Sequence, residues 1–459
     1  MGLKKEYVKQ KDTYGMIKYI PKNLYYSLPY LEPDLWIYHV LSKNEISPLQ
    51  FNKKFSKDIA TEIASNKLNT ILNLSLNYPI IINKQYWLKD NLARLLLDVQ
   101  RLLLYLIKDD LVYKKVDIKT NNHALKVPQL SPQEINDVSL QKQLFQLNHL
   151  LKKHAVFHQL KKKTISHQKG LKNLTKSRIE YKKEYRIIER YLGYLNSANI
   201  QNTLLYGSYS SGDPTINYSD LDVAIIIRES CLKSKEAFKQ TKKIILKAIP
   251  AIYMIDPLAH HRFEIILNSE FKRFQLSHLP INVLQNSRVF SSHQDIPLNV
   301  QIVQEQLNPV TKIGRRLIET FRMHIQKERF PTAYHFKGHV SEMMLVPALY
   351  LQALGMDISK KDSFDKAQEY VPTKFWNIID EFTNLRSQWR VKNILQNVPS
   401  TFVDLESESL REQTYRVNRY FAKKSYHLPS KSTEKRYIRQ SLELTEWILK
   451  DIFESSRIT

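Results

Sequence analysis

The stretch that most limits how this chain can fold is Leu204 to Arg228, LLYGSYSSGDPTINYSDLDVAIIIR. Thr203, Leu204, Leu205 and Tyr206 make a brief apolar run stopped by Gly207, the length and punctuation of a buried strand. Gly207 permits a sharp turn and a close approach of a ligand to the main chain. Ser208 brings a hydroxyl to the place where a helical turn would begin, so its N–H and those after it are set to face an anion. Gly212, Asp213, Pro214 and Asn217 favour a loop. Ser219 then leads into Asp220-Leu221-Asp222 and the run Val223 to Ile227, a second buried strand rich in β-branched residues. Residues i and i+2 of a strand share a face, so Asp220 and Asp222 point the same way at its mouth. Two carboxylates on one side repel unless a cation sits between them. Mg²⁺, which takes one or two carboxylates plus phosphate oxygens of a substrate, is the expected occupant.

An apolar strand, Gly-Ser, a loop containing Gly, and Asp-x-Asp opening the next strand resemble the signature of the DNA polymerase β-like nucleotidyltransferase superfamily. The wording Gly-Ser-Tyr-Ser, then Pro, Ile, Tyr and Asp-x-Asp, is also similar, over this stretch alone, to viral poly(A) polymerases. The resemblance implies that Asp220 and Asp222 hold Mg²⁺ or Mn²⁺ together with a third carboxylate from a later strand. It implies that Gly207 and Ser208 seat the phosphates of a nucleoside triphosphate. Glu264, within His260-His261-Arg262-Phe263-Glu264-Ile265-Ile266-Leu267, is the expected third acid, because an acid inside an apolar strand is expensive to bury without a task. Asp256 competes for that place but precedes Pro257 and reads as a turn residue. Between the two strands lies Glu236 to Ala248, a Lys-rich amphipathic helix ended by Pro250, so the order strand, helix, strand fits the family's minimal core. Ser211 stands where many small members carry an Arg, which leaves triphosphate charge to the metals or to a distant Lys or Arg. The pair His260-His261 is placed for one imidazole to contact phosphate or substrate.

Charge points to the partner. The formal net charge is +25, and a field of that sign draws polyanions, nucleic acid first. Residues 151–190 carry thirteen Lys or Arg against Glu180, Glu184 and Glu189, with Lys161-Lys162-Lys163 the densest point. Such a run is a solvated basic face or a phosphate-tracking surface. Its place directly before the Gly-Ser stretch suits the second, and RNA is the expected macromolecular partner. The single cysteine, Cys231, excludes a disulfide framework within the chain and suits a reducing, cytoplasmic setting. The most apolar region, Leu92 to Ile107, is interrupted by Arg94, Asp98 and Arg101, so no membrane span is expected.

The fold class expected is α+β: a small mixed β-sheet nucleotidyltransferase core embedded between mostly α-helical regions. The boundaries expected are a helical region over 1–165, a catalytic domain over 166–300, and a helical, substrate-binding domain over 301–459. Residues 1 to 50, rich in Tyr and Pro, read as an irregular arm or short helices. Apolar spacing predicts bundle helices from Phe51 to Leu111 and a long helix from Pro132 past Leu160. Further helices are predicted over Val300–Leu307, Ile313–Ile325, Glu342–Leu354 capped by Gly355, Phe364–Tyr370, Phe375–Trp389, Arg411–Phe421 and Tyr437–Phe453. His335, His339 and Glu342 share a predicted helix face, but they lack the His-Glu-x-x-His order of a zinc site. The function expected is metal-dependent transfer of NMP from an NTP to an acceptor hydroxyl, an RNA 3′ end first. A small molecule or protein acceptor, and a catalytically inactive nucleic-acid-binding protein, are the alternatives.

Overall fold

The apolar run after Asp-x-Asp forms a central strand of a five-stranded sheet. The structure, a computed structural model, describes residues 7–11, 17–21, 53–79, 86–108, 127–155, 160–165, 168–169, 182–275, 279–290, 298–303, 309–356, 358–397 and 407–455. Its architecture is α+β, mostly helical with small sheets. The chain opens with an antiparallel pair, β1 (Tyr7–Lys11) and β2 (Ile17–Pro21), where an irregular or helical arm was expected. Helices α1 (Lys53–Asn77) and α2 (Tyr86–Lys108) follow, as their spacing predicts.

The long helix expected from Pro132 is shorter. Pro132–Glu134 is a single 3₁₀ turn, and α3 spans Asp137–His154. Asn136 caps α3 by accepting from Val138 N at 3.0 Å and Ser139 N at 3.1 Å, while Ser139 Oγ accepts from Asn136 N at 3.0 Å. These bonds satisfy the amides that a helix start leaves orphaned. Leu160 lies instead in β3 (Leu160–Ile165), so the triple lysine sits on a strand. Strand β4 (Gln168–Lys169) is short, and α4 (Lys182–Leu192) leads into β5 (Ile200–Tyr206). Helix α5 (Gly207–Ser211) and β6 (Asp222–Ile227) come next, then α6 (Lys235–Ala248) and α7 (Pro250–Ile255), which uses Pro250 as its first residue. Strands β7 (Glu264–Leu267), β8 (Arg288–Val289) and β9 (Leu298–Val303) complete the set. The helix predicted over Val300–Leu307 is therefore corrected: Val300 to Val303 belong to β9. Leu298 and Val300 are buried and Ile302 packs beside them, with Asn299 and Gln301 between, a period of two that suits a strand. Strand β9 pairs antiparallel with β3, Leu160 opposite Val303, so each settles the other.

The main sheet runs β4-β8-β5-β6-β7. Strand β6 is antiparallel to β5 and parallel to β7, the crossover passing through α6 and α7. Both faces are covered. Val223, Ile225, Ile227 and Ile265 share a core with α1, α2, α3 and α6, while Leu204, Ala224, Ile226 and Ile266 pack with Phe271, Phe274 and β9. Double burial is why the strand reads as an unbroken apolar run. Full burial of each isoleucine contributes about 1.5–3 kcal/mol.

A second core lies mainly within 313–452. Its longer helices are α8 (Pro309–Gln326), α9 (Ala333–Met343), α10 (Val346–Ala353), α11 (Thr373–Ser387), α12 (Glu408–Ser425) and α13 (Lys431–Ser455), with a short helix over Ser363–Gln368 between α10 and α11. The helix predicted from Glu342 to Leu354 is two helices, with Glu342 in α9. Pro347 cannot donate inside a helix, so the chain breaks and restarts with Pro in the first turn of α10. Gly355 caps α10 with φ +86, and Met356 N reaches back to Leu351 O at 3.0 Å.

His339, on α9, is enclosed here and bonds Ser441 Oγ at 3.0 Å. Burial, then the Arg316 charge, lowers its pKa from 6.5 to about 3. Between those two values the unfolded chain takes up a proton that the folded state refuses. The stability contributed by neutral His339 is therefore whole above pH 6.5 and lost progressively as pH falls toward 3, at about 1.4 kcal/mol per pH unit. His339→Gln is expected to flatten the fall in urea-measured stability across that window. A slope equal to that of the unmodified chain would contradict this.

Candidate functional site

Strand β5 ends at Tyr206, and the chain turns at once into α5 through Gly207, whose φ is +68. Two conditions require glycine there. The left-handed backbone disfavours any Cβ, and a Cβ would come within 2.2 Å of Asp222 Oδ2. Tyr206 and Asp222 are register partners across β5 and β6, which is what brings that carboxylate under the turn. Three bonds anchor α5 from outside: Tyr185 Oη donates to Tyr209 O at 2.9 Å, Ser210 Oγ donates to Asn286 O at 3.0 Å, and Arg288 Nε donates to Ser210 O at 2.8 Å. The loop closes through left-handed Gly212 and Asn217, and Thr215 N donates to Ser219 Oγ at 2.8 Å. Ser208 stands half-buried in the first turn of α5.

The structure brings Asp220 and Asp222 together. His261 Nε2 lies 3.5 Å from Asp220 Oδ2 and 3.3 Å from Asp222 Oδ1, and His260 Nδ1 lies 3.1 Å from Asp220 Oδ2. Glu264 opens β7 opposite Ala224 in a parallel ladder, which puts it on the sheet face of Asp222, one alternate residue further along. The Tyr206 phenol senses the whole set. Burial, then the charges of Asp222, Glu264 and Asp220, pushes its pKa well above the usual value. Asp256 joins this group through Asp220, whose charge and hydrogen bond act on it directly. Its Oδ1 accepts from Leu258 N at 3.0 Å, the turn bond expected of it, but its Oδ2 meets Lys337 Nζ at 2.6 Å and the residue is fully buried.

Lys337 is the residue that sequence reasoning missed. It comes from α9, is 1% exposed, and its ammonium bridges Asp220 Oδ1 and Asp256 Oδ2. It also stands over the Tyr218 ring at 5.2 Å, and Tyr218 Oη bonds Ser341 Oγ at 2.8 Å, so the Asp-x-Asp loop is pinned to the second core. One signal was available. Ala333, Phe336, Lys337 and Val340 form an i, i+3, i+4, i+7 buried stripe in which a lysine stands at an apolar position.

Burial pushes the Asp220 carboxyl up, but the Lys337 ammonium and hydrogen bonds from His260 and His261 outweigh it and hold it well below the usual range. Burial also drives Asp256 up, with the Asp220 charge adding and Lys337 opposing. Burial lowers His261, yet its bonds to Asp220 and Asp222 raise it well above 6.5, so an imidazolium lies between the two acids. Lys360 stands exposed at the rim, but enough protein surrounds it that desolvation, then Arg386, lowers its pKa to about 8, with Asp222 and Asp220 pulling the other way.

Oxygens of Asp220 and Asp222 thus face a common point, already taken by a positively charged donor. A hard divalent cation needs one or two carboxylates and leaves its other positions to water or substrate, so the donor set fits one. The trio His335, His339 and Glu342 does not converge: His335 bonds Thr332 Oγ1 at 2.9 Å, His339 bonds Ser441, and Glu342 pairs with Arg316. Among the described residues no helix is long and apolar enough to cross a membrane. The chain matches no protein-family model, no curated protein and no solved structure.

Proposed function

We propose that this protein is a divalent-cation-dependent nucleotidyltransferase that moves NMP from a nucleoside triphosphate to an acceptor hydroxyl, with an RNA 3′ end as acceptor. The observation that carries the reading is the place of Asp222: its carboxylate lies directly under Gly207, where the turn after β5 leaves no room for a Cβ. A glycine turn with main-chain N–H groups beside a pair of converging acids is what phosphoryl transfer asks of a protein. Mg²⁺ or Mn²⁺, held by Asp220 and Asp222 with Glu264 completing the set, would neutralise charge on the triphosphate.

The chain's own residues then have distinct tasks. Gly207 and Ser208 seat the β- and γ-phosphates through backbone N–H and hydroxyl. Lys360 feels the charge of Asp222 and Asp220, Arg386 stands 5.2 Å from the Tyr218 ring centroid, and the two supply positive charge that the Ser211 position does not. Glu264 takes the proton of the acceptor hydroxyl, whose oxygen attacks the α-phosphorus in line. The bond from that phosphorus to the β-phosphate bridging oxygen breaks, and pyrophosphate leaves.

One feature supports a second reading, a nucleic-acid-binding protein without turnover. Asp220 is already paired with the Lys337 ammonium and faced by both imidazoles. Incubation with each labelled NTP, Mg²⁺ or Mn²⁺, and total cellular RNA separates the two. Label in RNA with pyrophosphate released, abolished by chelator, is the expected result. RNA binding with no pyrophosphate selects the second reading. Equal label transfer without RNA moves the acceptor to a small molecule or protein hydroxyl.

A further inference from the structure

Helix α12 carries a surface that the proposed chemistry does not use. Its buried side is Arg411, Tyr415, Asn418 and Ala422. On the opposite side Tyr420 is 57% exposed, Leu410 49%, Val417 48% and Phe421 44%, the densest group of bare large apolar side chains on any described helix. These residues are not a plain apolar stripe. Arg416, Tyr420 and Lys424 follow one another at i, i+4 and i+8, and Val417 and Phe421 make the adjoining ridge. Lys424 Nζ lies 5.9 Å from the Tyr420 ring centroid, and Tyr420 and Phe421 meet edge to face at 5.8 Å.

The charge on this helix is sorted. Arg411, Arg416, Arg419, Lys423 and Lys424 are opposed by Glu408 and Glu412 alone. Glu412 is turned inward, where both its oxygens hold Arg262 at 2.7 and 2.9 Å. The outward face is therefore basic and aromatic together. Its position is also fixed relative to the acids: Arg419 donates to Ala259 O at 2.9 Å, the residue before His260.

We propose that the outward face of α12 binds single-stranded nucleic acid, with Tyr420 and Phe421 stacking on bases and Arg416 and Lys424 on flanking phosphates. A polyanion with exposed π faces matches both halves of the surface. A folded acidic protein would use the charge but not the bare rings, and a duplex keeps its bases stacked on one another. The assignment deepens the transferase reading by giving an acceptor strand a track beside the site, but binding itself does not depend on turnover.

The test uses the full chain and a fluorescein-labelled U20 RNA, free or in a duplex, followed by anisotropy at several salt concentrations. Tyr420→Ala with Phe421→Ala is expected to weaken U20 binding at least about tenfold. Arg416→Gln with Lys424→Gln is expected to reduce the salt slope of log K by about 1.4, two phosphate contacts on a single strand. All four side chains are exposed, and unchanged circular dichroism and urea midpoints would show that the variants fold. Undiminished U20 affinity in the aromatic variant overturns the proposal. So does equal affinity of the unmodified chain for duplex, or co-sedimentation with phosphatidylserine vesicles that the variants lose while U20 binding persists. NMP transfer to a dinucleotide acceptor, measured on the same proteins, keeps the two ideas apart. Its absence from every protein sinks the transferase reading and leaves the surface standing.

Discussion

Lys337→Met is expected to destabilise the protein by about 3–5 kcal/mol at neutral pH, the usual consequence of deleting one partner of a buried ion pair. The ammonium lies against Asp220, whose side chain is 12% exposed, and Asp256, which is fully enclosed. Methionine fills the volume but leaves Asp256 without a counter-charge, facing an Asp220 that keeps only the imidazoles of His260 and His261. The pH dependence gives a second signature. Burial and the Asp220 charge already raise Asp256, and Lys337 is what opposes them. A folded-state pKa raised above the unfolded value favours the fold at low pH and penalises it as pH rises through that value. The deficit of Lys337→Met should therefore shrink as pH falls below neutrality, when Asp256 takes a proton. Adding Asp256→Asn to Lys337→Met should recover about 1 kcal/mol or more relative to the sum of the two single losses, since the residues are in contact. Urea unfolding of the four proteins completes the cycle, and strictly additive losses would mean that Lys337 does not stabilise the fold through Asp256.

What could be read from the chain follows the range of the interactions. The turn at Gly207 and the strand Val223 to Ile227 depend on a few neighbouring residues, and both stand where the sequence puts them. Glu264 reads as an acid inside an apolar strand, and the structure puts it one step earlier, at the residue where β7 begins. Asp256 shows the limit. Its turn chemistry was legible, and the bond to Leu258 N is made, but its ion pair is with a lysine 81 residues away. Nothing local distinguishes a turn aspartate from one that also neutralises a buried cation. The same holds for Lys161-Lys162-Lys163. A run of lysines has no period of its own, and only its pairing with β9, more than a hundred residues on, makes it a strand. Val300 and Ile302 did carry a period of two, but in so short a segment it competes poorly with helical spacing. The break at Pro347 was available from the sequence, because proline belongs in a first helical turn and not within one.

Asp222→Asn is expected to lower NMP transfer by on the order of a thousandfold, since charge stabilisation of the transferring phosphoryl group is worth several kcal/mol. The substitution keeps the size of the side chain and an oxygen able to accept from His261 Nε2, now 3.3 Å from Asp222 Oδ1. The side chain is 26% exposed, so little stability should change, and a loss of activity reports on charge rather than on folding. Gly207→Ala attacks the same carboxylate by shape. The new Cβ would lie 2.2 Å from Asp222 Oδ2, so Asp222 must swing away, and the left-handed φ of +68 adds strain of about 1–3 kcal/mol. Transfer should fall in this variant too, although its charges are those of the unmodified chain. Measured side by side with labelled NTP, the two variants isolate the requirement that a negative charge stand under that turn. If Asp222→Asn turns over at an undiminished rate, Asp222 holds no cation and the transferase reading fails with it. If only Gly207→Ala retains activity, the charge matters but the close fit beneath the turn does not.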